Sequence, residues 1–220
     1  MKSYKTSLFR KKEVAYKTTA FWLSKPKNFR FTPGQYLTVF LGKDTHDFSI
    51  ASSPHESYLL FTTRLRKSRF KNKLAKLKTG SAVTIRGPAG QFLLPDKKSE
   101  EVILLAGGIG ITPVRSMLLA EAHAKSRRPI TLFYSNRRPQ DAAFLEELSN
   151  LSLKNHTLVP VITKKEGRLV FTKIRKHVKL AKRQTYYVVG PPGFVDAMVK
   201  MLLKAGISRR NIISEDFAGY

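Results

Sequence analysis

The stretch EVILLAGGIGITPVRSM, residues 101–117, constrains what this chain can fold into more than any other. Val102 to Ala106 form a short apolar run bounded by glycine, the pattern of a strand buried on both faces of a parallel sheet. Gly107, Gly108 and Gly110 allow positive φ and leave no Cβ in the way of an approaching phosphate. Thr112 suits an N-cap and Pro113 a first helical turn. The free N–H groups and positive dipole end of a helix would then face whatever the glycines admit. The stretch predicts a strand, a turn and a helix that together cradle a dinucleotide.

The next strand, Ile130 to Tyr134, runs into SNRRP. A Rossmann unit that reads NAD carries an acid near this point for the ribose hydroxyls. Ser135, Arg137 and Arg138 offer a hydroxyl and two cations instead, which suits a 2′-phosphate. A solvated basic loop looks the same, so the donor stays open between NADPH and NADH.

The two halves of the chain have different periods. Residues 1–98 read as short strands at 20–23, 35–41, 47–51, 59–64 and 82–86, separated by the turns FTPGQ, SSPHE and GPAGQ. That spacing predicts a small antiparallel β-barrel, interrupted by a helix within 68–78. Residues 99–220 alternate strands near 102–106, 130–134, 157–162, 186–189 and 211–214 with helical stretches at 113–126, 141–149, 171–182 and 193–205. This predicts a parallel α/β sheet with helices on both faces. The hydrophilic segment 96–100 is the expected hinge. The first and fourth strands of this half both end in glycine turns, GGIGITP and VVGPPGF. In a doubly wound sheet such ends flank the ligand crevice, so Gly190, Pro191 and Pro192 are its expected second lip.

Composition removes some function classes. The chain has no cysteine, which excludes disulfides, thiol catalysis and an iron–sulfur cluster held by its own residues. No zinc-ligand spacing, no single-stranded RNA signature and no internal repeat are found. No apolar run reaches the roughly 20 residues that span a bilayer, and the N-terminus lacks the apolar core of a signal peptide, so the cytoplasm is the expected compartment. The net charge of +26 is extreme and is compatible with nucleic acid, anionic lipid or an acidic protein. Its densest run, TTRLRKSRFKNKLAKLKTG at 62–80, places Phe70, Leu74 and Leu77 at helical spacing beneath a basic face.

A barrel followed by this α/β unit resembles the ferredoxin-NADP reductase family, with motifs in the family's order over essentially the whole chain. PGQY at 33–36 is similar to a family strand opening, and HDFSIASSP at 46–54 to its flavin motif of Arg, any residue, Tyr and Ser. RLRKSRFKNKL at 64–74 is similar to the segment that binds the FAD pyrophosphate, and SEDFAGY to the terminal strand.

The resemblance implies FAD on the barrel, with Phe48 against the flavin and the Ser49 hydroxyl at its reactive N5 edge, beside Ile50. Thr63, Arg64, Ser68, Phe70 and Lys71 would complete that site, with Arg66 adding charge. Thr112 and the 190–192 turn would steer the nicotinamide, Glu215 would stabilise charge, and Phe217 or Tyr220 would cover the flavin. Phe144 is a candidate to stack on adenine, although helix core explains it better. Three positions depart from the pattern. His46 stands for Arg, Phe48 for Tyr, and Val189 for the Cys that many relatives carry.

The implied activity is hydride transfer from NADPH or NADH to FAD, then electron delivery to an acidic carrier such as ferredoxin or flavodoxin, drawn to Arg66, Lys67, Arg69 and Lys73. The alternatives are a reductase of a split oxygenase or desaturase system, a reductase of free flavin, and a basic nucleic-acid-binding module on the same fold.

Overall fold

The computed structural model describes residues 1–178 and 184–217. They form two compact units, one holding Met1–Leu93 with Thr112–Ala120, the other Leu94–Ile111 with the described residues from Glu121 onward.

The first unit is a six-stranded antiparallel sheet of β1 (Lys2–Ala15), β2 (Thr18–Ser24), β3 (Tyr36–Leu41), β4 (Asp44–Ser49), β5 (Tyr58–Arg64) and β6 (Ala82–Ala89), with helix α1 (Arg69–Lys76) between β5 and β6. Its order is β4-β3-β6-β1-β2-β5, so the sheet curls like a barrel whose end strands, β4 and β5, are not paired in the ladder. Alternate residues of these strands face one core, which contains Phe21, Leu37, Val39, Phe48, Phe61 and Ile85. Helix α1 adds Phe70 and Leu74 to it, and its N-cap is the Ser68 hydroxyl, which accepts from the Lys71 N–H. Lys11 in β1 donates to the carbonyls of Ala75 and Leu77 at the other end of that helix.

Strand β1 was not expected from the sequence. KSYKTSLFRKKEVA shows lysines rather than an alternating apolar face, yet Leu8 is fully buried and the Tyr4 ring meets Phe29 edge-on at 5.1 Å. The strand sits in mid-sheet, so ladder hydrogen bonds on both sides compensate for its weak propensity.

The second unit is a five-stranded parallel sheet of β7 (Val102–Gly107), β8 (Ile130–Asn136), β9 (His156–Ile162), β10 (Thr185–Gly190) and β11 (Ile212–Asp216), in the order β11-β10-β7-β8-β9. The chain winds outward one way through β8 and β9 and the other way through β10 and β11. The switch point therefore lies between β7 and β10. Helices α2 (Ile111–His123), α3 (Leu145–Ser149), α4 (Thr163–Glu166), α5 (Phe171–Arg175) and α6 (Pro192–Lys204) follow the strands. β7 and β8 are buried throughout, as their unbroken apolar runs require.

Three local expectations need correction. Thr112 is not an N-cap, because a tight helical turn at Gly108–Gly110 runs straight into α2, which begins at Ile111. Helix α3 starts late, since Phe144 is left-handed with φ of 59° and ends the preceding turn; it is therefore not helix core. Of the helical stretch expected at 171–182, Phe171–Arg175 is helical, and 179–183 lie outside the described residues.

The segment read as a hinge is tied down within the second unit. Fully buried Arg128 donates to the carbonyls of Pro95 and Lys97, and it shares Glu121 with Lys98. No helix among the described residues is long and apolar enough to cross a membrane.

Candidate functional site

In the second unit the candidate residues gather at the C-terminal ends of β7, β8, β10 and β11. Gly108 is left-handed, with φ of 52°, and a methyl group there would meet nothing within 4 Å. It is the uncovered side of the turn. Positive φ expected at Gly107 and Gly110 is not found, and their bareness serves packing instead. A Cβ on Gly110 would lie 2.3 Å from the Val189 carbonyl oxygen, and one on Gly107 would lie 2.6 Å from the Phe194 ring. Both turns thus close on each other across the switch point, leaving Gly108 toward solvent at the start of α2. Thr112 and Pro113 are buried in the first turn of that helix.

The second lip consists of Gly190, exposed Pro191 and exposed Pro192, with Pro192 opening α6. The Phe217 N–H donates to the Gly190 carbonyl at 3.0 Å, which anchors the last described residues beside that lip. Glu215 is half-buried in β11 and in register with Val189. At the end of β8, Ser135 is buried and Arg137 is exposed. Arg138 is engaged by Asp141 through two 3.0 Å hydrogen bonds, so it does not stand as an uncommitted cation. The Lys164 N–H meets the Arg137 carbonyl, which brings the N-terminus of α4 beside this loop.

In the first unit, β4 carries His46, Phe48 and Ser49, with Ile50 directly after it, and the end of β5 with α1 carries Thr63, Arg64, Ser68, Phe70 and Lys71. Phe48 is 2% exposed and stacks on Phe61 at 4.6 Å. His46 touches Phe48 and Phe70 at 5.0 and 5.4 Å, which extends the ring cluster outward. Burial and the Lys71 charge hold the His46 pKa below its ordinary value, with Asp47 opposing. Lys71 donates to the Arg64 carbonyl at 3.0 Å, and burial with nearby Arg66 lowers its pKa to about 8. Among the described residues the buried Thr63 hydroxyl has no hydrogen-bond partner, so a polar group is left over there. Exposed Arg69 and half-exposed Lys73 are both tied to Asp44.

Sequence reasoning did not reach the lock that holds the turn after the HDFS strand. Buried Arg115 donates to the Ala51 carbonyl at 2.7 Å and to both Glu56 oxygens at 3.1 and 3.3 Å. Ser116 donates to the Ser52 carbonyl, and Glu56 accepts from the Ser53 N–H. The only cue was scarcity, since a chain with 15 acids against 41 Lys and Arg places few carboxylates idly. Among the described residues no group of three or more His, Cys, Asp or Glu could hold a metal ion.

Residues 104–200 match the oxidoreductase NAD-binding domain family. In sequence the chain is similar to flavohemoprotein A of Dictyostelium discoideum, 29% identical over 208 residues, covering 85% of this chain and 52% of that protein. It is also similar to the ferredoxin–NAD(P)(+) reductase component of the naphthalene 1,2-dioxygenase system of Pseudomonas putida, 28% identical over 206 residues, 89% of this chain and 62% of that protein. The fold is similar to that of a ferredoxin NADP+ reductase from Neisseria gonorrhoeae solved with bound FAD and NADP. There the TM-score is 0.85 and the identity 22%, over 98% of this chain and 99% of that one. The chain spans 39% to 63% of the length of the first curated relatives it matches.

Proposed function

We propose, from the premise that this is a ferredoxin-NADP-reductase-like chain with an oxidoreductase NAD-binding domain, that it is an NAD(P)H-dependent flavoprotein reductase serving a separate electron acceptor. The observation that carries this reading is the pair of glycine turns closed on each other at the switch point, with left-handed Gly108 open ahead of a helix start. That arrangement fits the phosphates of a nicotinamide nucleotide, since the first N–H groups of the helical segment have no partners within it.

The residues of the first unit fit FAD. Arg64, Arg66 and Lys71 supply cations where a pyrophosphate needs them, Ser68 and Thr63 supply hydroxyls, and Ser49 stands at the end of β4 to orient the ring edge. Phe48 and Phe70 are buried in the barrel core and back His46, which is the half-buried ring of this cluster, so the flavin would meet that imidazole edge rather than a tyrosine hydroxyl. When bound, flavin supplies the hydride and single-electron chemistry, and the protein's part is alignment. Glu215, in the strand next to β10, is the residue we assign to stabilising charge, and Phe217, directly after that strand, the one to cover the flavin face.

Arg137 is the residue that favours NADPH, with Ser135 beside it. Arg138 contributes only where a phosphate outcompetes Asp141. The acceptor we favour is an acidic protein such as ferredoxin or flavodoxin, or the acidic carrier of an oxygenase system, because oxygenase reductases recur among the relatives.

The test is the visible spectrum of the purified protein supplied with FAD, followed anaerobically after adding NADH or NADPH. Bleaching of the flavin band, faster with NADPH, is expected. A protein that takes up no FAD, or a flavin band untouched by both nucleotides, overturns the reading.

A further inference from the structure

The reductase reading uses few of the 41 Lys and Arg residues. One face of the first unit gathers such cations with hydroxyls and open aromatic rings. β1 is 14 residues long, roughly 45 Å of strand, and alternation puts exposed Lys5, Arg10 and Lys12 on its outer face, while Lys11 reaches the α1 carbonyls on the other side. A bulge between Leu8 and Arg10 turns Phe9 outward to 43% exposure. Its ring lies edge-on to Tyr58 at 6.4 Å, and the Arg10 guanidinium covers the Trp22 ring at 4.8 Å. The pairings Arg10↔Trp22 and Ser24↔Tyr58 put these side chains on the face opposite the buried Phe21 and Leu23. Beside them lies a shallow cleft of about 350 Å³ lined by Lys5, Thr6, Ser7, Ser24, Lys25 and Pro26.

We propose that this face binds single-stranded nucleic acid without sequence preference, with phosphates in the lysine and hydroxyl cleft and bases stacked on Phe9 and on the Arg10–Trp22 pair. Two requirements of such a ligand are met independently. A polyanion needs cations spaced along a track, and β1 supplies them. Unpaired bases need flat, exposed partners, which aromatic rings and guanidinium planes provide. A duplex keeps its bases stacked and gains nothing from the rings. A lipid surface needs a continuous apolar face, and from Lys5 to Lys12 Phe9 is the one large apolar side chain that stands exposed, among cations and hydroxyls.

Trp22 is the only tryptophan of the chain, so its emission reports directly on this face. Titrating the full chain with a twelve-nucleotide oligouridylate at 50 mM salt should quench it. Anisotropy of the labelled oligonucleotide should show affinity falling with salt at a log–log slope of about −2 to −3, three or four phosphates at 0.7 each. Oligothymidylate should bind within about tenfold, and a duplex of equal length at least about tenfold more weakly. Phe9→Ser and Arg10→Gln should each weaken binding about fivefold or more. Lys164→Gln with Lys165→Gln, in the other unit, should leave it within about twofold.

Flavin uptake and nucleotide bleaching should be unchanged in the Phe9 and Arg10 variants, which separates failure here from failure of the reductase reading. Absence of quenching at 50 mM salt overturns the proposal. So does binding that survives the Phe9 and Arg10 changes but falls with the lysine pair. Phosphatidylglycerol vesicles that shift Trp22 emission more readily than the oligonucleotide would also overturn it and reassign the face to a membrane.

Discussion

Adding a methyl group at Gly110 would place it 2.3 Å from the Val189 carbonyl oxygen, a backbone atom that cannot swing aside, whereas one at Gly108 would meet nothing. The two substitutions therefore separate packing from ligand binding. Gly110→Ala should destabilise the protein by about 2 kcal/mol or more in denaturant titration, because two turns must move apart. Gly108→Ala should cost about 1 kcal/mol for its left-handed backbone yet weaken nucleotide affinity more than tenfold. Equal affinity losses in the two would remove Gly108 from the cradle. Lys71 gives a second test, with opposite signs for folding and binding. Its pKa in the fold is lowered to about 8 from 10.5, so the folded state disfavours the charge and stability should rise with pH between those values. In the proposed site that charge faces the FAD pyrophosphate, so affinity should fall severalfold from pH 7 to 9 in equilibrium titration. Lys71→Met should flatten the dependence.

At the scale of elements, the turn at 51–57 is held by a buried ion pair whose partners are 59 residues apart. Burial pushes the Glu56 pKa up, but hydrogen bonds from Arg115, Tyr58 and Ser53, with the Arg115 charge, pull it below its ordinary value. A carboxylate lowered in the fold contributes stability above its unfolded pKa of about 4.3 and loses it as pH falls through the folded value. Glu56→Gln should thus cost about 3 kcal/mol at pH 7 by leaving Arg115 buried with a neutral partner, and the cost should shrink below about pH 4. Leu8→Ala in β1 should cost a similar 3 kcal/mol, since Leu8 is the fully buried residue of that strand. These two elements also mark where the sequence stops being legible. β2 to β6 and the parallel sheet announce themselves through alternation and apolar runs set between glycine and proline turns. β1 does not, because its inward set is Tyr4, Thr6 and Leu8 while its outward lysines dominate the string. Arg115 and Arg128 read as two more surface cations in a basic chain, and only tertiary structure shows them buried on Glu56 and Glu121. The glycines announced a turn with room for a ligand, but which one is left uncovered was set by Val189 and Phe194, 79 and 87 residues away.

For the whole molecule, a net charge of +26 means that bringing the chain together concentrates like charge, and the few acids spend themselves on internal pairs such as Asp44 with Arg69 and Lys73. Salt screens that repulsion, so raising sodium chloride from 50 to 500 mM should raise the melting temperature by about 2–4 °C, the equivalent of about 1 kcal/mol at this size. The same screening should slow reduction of an acidic carrier about tenfold or more, because encounter depends on the long-range field. Opposite responses to one variable separate the two roles of the charge. Hydride transfer from nucleotide to flavin involves no protein encounter, so its rate in single turnover should stay nearly flat across that range. A carrier reaction as flat as the hydride step would mean that the basic surface does not steer the acceptor, and the charge would then belong to the β1 face alone.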